Sequence, residues 1–458
     1  MHVDKDSVQP VNPSPAKKPS RRGITVGAIF VVVLLALLAL TDPLMNWLVK
    51  PRIAEAFNQK HPAYALRIGD MHYSVFRNRF GFDNVAIDAL DSSFTGTLGT
   101  AAVSGINWIS LLWSRSVSSD NAGGLVVEID SFVTVITNSQ YTLRCGPLHI
   151  SAPDSVIVIR DFEYRPIFDD EQLFAARDHR VTRYRIAVPL VEVKGFDGID
   201  AIRRENYNAR SAQFTDAFVE VLINKDKPAS GVARIPLMPN ELLALANTPL
   251  FIDSLNFRNS RLAYGERFAV GSTPAFLTFD SLHLIATGIA NQAQSAPTIA
   301  IDAQALFMAQ SPINVRISIP VADSNLNFQF SGSLGKLDAC SFNPFVEKTE
   351  RLRIKQGDLE QASFDIQVND GRSAGYVRAT YRDLSFAVID KESGSEKGFL
   401  NSVASIISNS FMIRQDNAPE ESGDMKVGVV DYTKKPNETF LRFAWLSLYS
   451  GVRDLVKK

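Results

Sequence analysis

Beyond residue 60 the apolar and polar positions of this chain alternate with a period of two. Ile313-Asn-Val315-Arg-Ile317-Ser-Ile319-Pro-Val321 alternates without a fault, and Leu326-Asn-Phe328-Gln-Phe330 and Phe364-Asp-Ile366-Gln-Val368 repeat the pattern. Val127, Ile129, Val133 and Val135 share one side of another run, opposite Glu128, Asp130 and Thr134, and Tyr184, Ile186, Val188 and Leu190 extend the series. Alternation of this kind predicts strands with one apolar and one polar face. Turn signals separate the runs at Asn121-Ala-Gly-Gly124, Lys225-Asp226-Lys227-Pro228 and Asn369-Asp370-Gly371. Long helical patterns between strands are scarce, which favours antiparallel meanders over parallel βαβ units. Short helices are expected over 52–59, 106–114 and 240–246. Leu400, Val403, Ile407 and Phe411 form one apolar helical stripe near the end, and Leu441, Trp445, Leu448, Val452 and Leu455 form another.

A sheet that is apolar on one side must bury that side against a second layer or use it. Two sheets packed as sandwiches would satisfy the pattern, with Pro189 and Pro320 marking edge strands of separate sheets. The scarcity of covering helices favours the other solution, a curved groove whose inside holds something apolar. Phe132, Phe257, Phe276, Phe328, Phe330, Phe364 and Phe386 all fall in strand-like runs, although aromatics favour strands anyway. The inward-facing residues expected to line the groove are Val315, Ile317, Ile319, Leu326, Phe328, Phe330, Phe364 and Ile366.

The N-terminus follows a different pattern. Residues 1–23 are polar, contain Pro10, Pro13, Pro15 and Pro19, and end on Lys17, Lys18, Arg21 and Arg22. Ile24 to Leu40 then runs for 17 residues without a charge. At ~1.5 Å per residue that is roughly 25 Å of helix, the short end of a bilayer span. Trp47, Lys50 and Arg52 extend it into the interface. A cleaved signal peptide fits less well, because the polar lead is long and Ala39-Leu40-Thr41 is a poor cleavage site. The preceding basic cluster places the N-terminus in the cytoplasm. For a bacterial chain, everything after residue 50 would then lie in the periplasm.

Composition narrows the chemistry. The chain has 458 residues with 48 Lys+Arg against 49 Asp+Glu, a formal net charge of −1, so there is no global electrostatic pull toward nucleic acid. Cys145 and Cys340 are too few for a disulfide scaffold or a thiolate metal site, though an oxidising compartment would allow them to pair. None of His2, His61, His72, His149, His179 and His283 is at HxH or HExxH spacing. There is no GxSxG elbow, no phosphate loop and no GxGxxG after a strand, so neither catalysis nor a cofactor has an anchor. Arg177-Asp178-His179-Arg180 with Arg183 and Arg185 reads as a solvated face or a headgroup patch. Asp169-Asp170-Glu171 reads as a solvated loop or a cation site.

Several stretches, taken in order, resemble the AsmA-like family of Gram-negative envelope proteins, which includes TamB- and YhdP-type members. After the basic N-terminus and apolar run come Tyr64-Ala-Leu-Arg-Ile68-Gly, Phe80-Gly-Phe82-Asp-Asn-Val85-Ala-Ile87 and Val103-Ser-Gly-Ile106-Asn-Trp108-Ile109-Ser-Leu-Leu112. The middle carries Pro236-Leu-Met-Pro239, Ile252-Asp-Ser-Leu255 and Arg261-Leu-Ala-Tyr264-Gly-Glu266. Later come Gly335-Lys-Leu-Asp-Ala339, Phe342-Asn-Pro344, Ile354-Lys-Gln-Gly-Asp-Leu359, Gly375-Tyr-Val377 and Tyr381-Arg-Asp-Leu384. The resemblance spans most of residues 20–456 and rests on order, no single motif being specific.

The resemblance implies inner-membrane anchoring, a long apolar β groove and the movement of phospholipids between envelope membranes. The expected architecture is therefore mainly β: an N-terminal transmembrane helix, an elongated, curved antiparallel β groove, a few short helices and C-terminal amphipathic helices. Its parts are a disordered cytoplasmic tail (1–23), an anchor (24–49), the periplasmic groove (50–395) and a C-terminal region of helices and a final strand (396–458). About 25 strands at ~4.8 Å would make a groove roughly 120 Å long. The expected partners are phospholipid, a membrane and an envelope protein. The alternative is a non-enzymatic assembly factor that receives client strands at a sheet edge.

Overall fold

The computed structural model describes residues 40–107, 110, 119–204, 206–228, 237–245, 248–291, 298–321, 326–350, 352–389, 413–419, 425–436 and 438–457. The expected tail, nearly all of the apolar run, most of 106–114 and the helix over 400–411 lie outside them. Among the described residues no helix is long and apolar enough to cross a membrane.

One curved sheet of 21 strands dominates the molecule. In chain order its strands are β1 (Tyr64–Arg67), β2 (Asp70–Ser74), β3 (Arg79–Ala89), β4 (Phe94–Ser104), β5 (Val126–Ile129), β6 (Phe132–Ile136), β7 (Tyr141–Cys145), β8 (Leu148–Ser151), β9 (Val156–Pro166) and β10 (Thr182–Lys194). They continue as β11 (Tyr207–Thr215), β12 (Phe218–Asn224), β13 (Leu250–Arg267), β14 (Ala275–Ala290), β15 (Thr298–Phe307), β16 (Ser311–Pro320), β17 (Phe328–Leu334), β18 (Leu337–Asp338), β19 (Leu352–Asn369), β20 (Arg372–Val388) and β21 (Gly428–Thr433). The pairings run along the chain from β1 and β2 to β21. Five positions in the sheet are shared by two short strands lying end to end: β1 with β2, β5 with β6, β7 with β8, β11 with β12 and β17 with β18. The 21 strands therefore fill sixteen positions, and at ~4.8 Å apart the sheet is about 70 Å long. That is shorter than the sequence estimate, which counted collinear pieces as separate layers.

Two other expectations change. The sheet is continuous, so Pro189 and Pro320 do not mark two sheets: Pro189 lies within β10 and Pro320 ends β16. The pairing is also not wholly antiparallel, because β13 runs parallel to both β11 and β12. After β12 the chain crosses back through a short helix (Pro239–Ala244) and re-enters at the end where β11 began, and a crossover of this kind forces parallel pairing.

The end-to-end pairs reflect a crease along the sheet. Asn84 in β3, Asp161 in β9, Asp216 between β11 and β12, Asn259 in β13 and Ser281 in β14 all have φ between 48° and 55°. This left-handed region is tolerated best by Asn and Asp among non-glycine residues. The row continues through Gly99 in β4, whose amide donates to the Ser131 carbonyl, and Gly146, whose amide donates to the Arg160 carbonyl. A Cβ on Gly99 would lie 2.7 Å from an Asp130 carboxylate oxygen, so a larger residue there would have to displace the Asp130 side chain. Each crease residue turns the strand and shifts its alternation by one; the pairing register runs on unbroken across Asn84 and Asp161 and shifts around Asn259 and Ser281. Ile157 and Ile159 precede Asp161, and Phe162 and Tyr164 follow it. The shift keeps the apolar side chains of both halves on the same side of the sheet.

Candidate functional site

The registers trace rows of apolar side chains across neighbouring strands. One row runs Val103, Val127, Ile150, Ile157, Val193, Ala212 and Leu255 from β4 to β13. The row beside it runs Ala101, Ile129, Leu148, Ile159, Val191, Phe214 and Phe257, with the last two rings stacked at 4.8 Å. The first continues through Ala286 in β14 into Ile301, Ile317, Phe330 and Ile366, and the second through Leu284 into Ala303, Val315, Gly332 and Phe364. The other face carries Glu128, His149, Glu192, Gln213, Asn256, Asp302, Arg316, Gln329 and Asp365 at the intervening positions. Along these rows the sheet is apolar on one face and mostly polar on the other.

What covers the apolar face differs along it. From β4 to β9, Val103, Val127, Ile129, Leu148, Ile150, Ile157 and Ile159 are all half-buried. No helix among the described residues packs on them. Toward the C-terminal end three helices lie on this face. Leu243, from the helix Pro239–Ala244, reaches the cluster around Ile299 and Ile319. The helix Asn343–Glu350 packs beside β14 and β19, with the Phe345 ring 6.5 Å from Tyr264. The helix Phe440–Val456 seals β19 to β21, burying Phe443 and Leu455 against Phe328, Ile366, Val377 and Val430. Its seat is backbone against backbone: a Cβ on Gly428 would lie 2.0 Å from the Gly451 carbonyl oxygen.

This divides the residues expected to line a groove. Ile319, Phe328, Phe330 and Ile366 are buried in the seat of the Phe440–Val456 helix, with Phe328 between the rings of Phe440 and Phe443 at 5.0 and 6.0 Å. They form a packed core rather than an open lining. Ile317, Leu326 and Phe364 pack against that core half-buried, and Val315 is half-buried on the same face. The Phe364 ring lies over Gly332, where a Cβ would come within 2.6 Å of it. The helix itself is rotated from its expected stripe. Leu448, Val452 and Leu455 face inward as expected, but Leu441 is exposed because Phe443 and Gly451 take the central contacts. The half-buried rows on β4 to β9 show in the sequence only as Val127, Ile129 and similar alternation.

Both edges of the sheet are occupied. Alongside β2, Asp42 accepts from the Tyr73 amide at 3.0 Å. Asn46 accepts from the Met71 amide at 3.0 Å and donates to its carbonyl at 2.8 Å. Asn58 accepts from the Leu66 amide of β1. These residues lie on the helical stretch that ends in Lys50–Lys60. At the other edge, Asp454 and Ser450 accept from the Val429 and Asp431 amides of β21. Helix side chains thus take backbone groups an incoming strand would need.

The charged segments singled out in the sequence pair with each other on the polar face. Asp169 caps the short helix Asp170–Ala175, and Asp170 binds Arg183 at 3.0 Å and Arg185 at 2.8 Å. Glu220 completes the pairing of Arg183, whose side chain is 1% exposed. Arg267 joins Asp226 at 2.7 Å and lies 4.5 Å over the Phe174 ring. This network fixes the helix against the back of the sheet, a structural role. Shallow concavities of about 540 and 430 Å³ lie on the same polar face, the first beside His72 and Asp83, the second beside Asn314 and Asp365.

Cys145 and Cys340 are free thiols, and burial pushes that of Cys145 up. Among the described residues no group of three His, Cys, Asp or Glu is placed to hold a metal. The chain matches no family model and no curated protein.

Proposed function

We propose that this chain is a membrane-anchored envelope protein of the AsmA-like kind that holds phospholipid acyl chains on the open apolar face of its β groove, without catalysis. The observation that carries this reading is the pair of apolar rows on β4 to β9, on which no helix among the described residues packs, backed by a polar face. Each CH₂ moved out of water there contributes ~0.8 kcal/mol, so a fully covered palmitoyl chain gains on the order of 10 kcal/mol. The rows are rich in β-branched Val and Ile, whose stiff side chains lose little freedom when a ligand settles on them. A uniform lining offers no deep trap, so chains can slide while headgroups stay in water. The run 24–40 supplies the anchor. The occupied edges weigh against the alternative of client-strand addition.

The test is the double variant Ile129→Asp with Ile157→Asp in the full chain, purified in detergent, with bound phospholipid measured by mass spectrometry. Thr97→Asp, on the exposed polar face of β4, is the control. The reading expects the double variant to keep its circular dichroism and lose its phospholipid, while the control keeps both. Phospholipid retained by a folded double variant overturns it.

A further inference from the structure

The helical stretch from Thr41 runs antiparallel to β2, with Asp42 level with Tyr73, Asn46 level with Met71 and Lys50 Nζ 2.6 Å from the Gly69 carbonyl. The start of that stretch, where the uncharged run 24–40 ends, therefore lies beside the turn between β2 and β3. That turn is Val75-Phe76-Arg77-Asn78, and Phe76 is 83% exposed. The turn is pinned on both sides, because Tyr73 donates its hydroxyl to Asn78 at 3.1 Å and Asn78 donates to the Ile106 carbonyl at 2.8 Å. On the helical stretch, Leu40, Leu44 and Trp47 follow at steps of four and three and are 58%, 46% and 75% exposed. They form one stripe, turned away from the Asp42 and Asn46 side that holds the sheet.

We infer that the Phe76 turn and the Leu40–Leu44–Trp47 stripe form a single surface that inserts into the outer boundary of the lipid bilayer, standing the sheet on the membrane by its β2 edge. The occupant follows from continuity: the stripe extends the apolar run directly, and the turn lies level with the point where that run ends. Phe and Trp flanked by Arg77, Lys50 and Arg52 is the composition of an interfacial contact. The inference rests on the anchored reading above and adds a second contact that brings the start of the apolar face to the bilayer.

The test places a benzophenone photo-cross-linker at Phe76, at Trp47 and, as a control, at Asn138 on the turn between β6 and β7, in full-length protein in phosphatidylethanolamine–phosphatidylglycerol vesicles. Phospholipid adducts at 76 and 47 at least about fivefold above those at 138 are expected. They should persist in the Ile129→Asp, Ile157→Asp background, which separates this contact from lipid on the open face. Background-level adducts at 76 in carbonate-resistant protein overturn the inference and leave the anchor standing. Protein extracted by carbonate overturns both. Adducts at 76 to a second copy of the chain also overturn it.

Discussion

The open section, β4 to β9, and the closed section, β16 to β21, share the same alternation. They differ in what lies on top. In the closed section Phe328, Phe330 and Ile366 accept a helix that approaches until glycine backbones touch. In the open section Val127, Ile150 and Ile157 present a smooth aliphatic surface with no such helix among the described residues. Alternation establishes which face of a strand is apolar, not whether that face becomes core or stays a surface. Here the same chain does both.

The sharpest way to break the comparison is to remove the helix's anchor. Phe443→Ala should cost about 3–5 kcal/mol in denaturant unfolding, whereas Ile157→Ala in the open section should cost under about 1 kcal/mol. Equal losses would mean that both sections are core. Gly428→Ala should cost about 1–3 kcal/mol by forcing the helix off its seat, and exchange of the amides in 440–456 should speed up while those in β5 and β8 stay unchanged. Asn46→Ala leaves two Met71 backbone groups without their partner, which should cost about 1 kcal/mol and raise amide exchange along β2.

The smallest effect concerns His72, which lies between Asp42 at 3.2 Å and Asp83 at 3.1 Å. The Asp42 hydrogen bond, then the two carboxylate charges, raise its pKa above the ordinary 6.5. Because the folded value is the higher one, its contribution is fully present below pH 6.5 and fades as pH rises through the folded value. An NMR titration should give a His72 midpoint above 6.5 that Asp42→Asn lowers. A midpoint at or below 6.5 contradicts the clasp.

Much of this was legible in the residues. The β class, the short helices near residues 52, 240 and 441, and the amphipathic face all follow from period-two and period-3.6 patterns. The crease was legible too, but only as a phase jump: Phe82 to Val85 across Asn84, Ile159 to Phe162 across Asp161, and Val188 to Val191 across Pro189 each step by three in a series of twos. The parallel placement of β13 and the covering of Ile319 and Phe330 were not. Both depend on where a distant segment returns, which local pattern does not encode. The pairing of Arg183 with Asp170 and Glu220 was hidden for the same reason, since residues that read as a solvated face meet only once β12 lies beside β10.

The most direct test of the central claim places the same photo-cross-linker at Ile157 and at Phe330 in cells. A lipid-holding open face predicts phospholipid adducts at Ile157 and none at Phe330, which lies under the helix. Adducts at neither position, or at Phe330 alone, would contradict it.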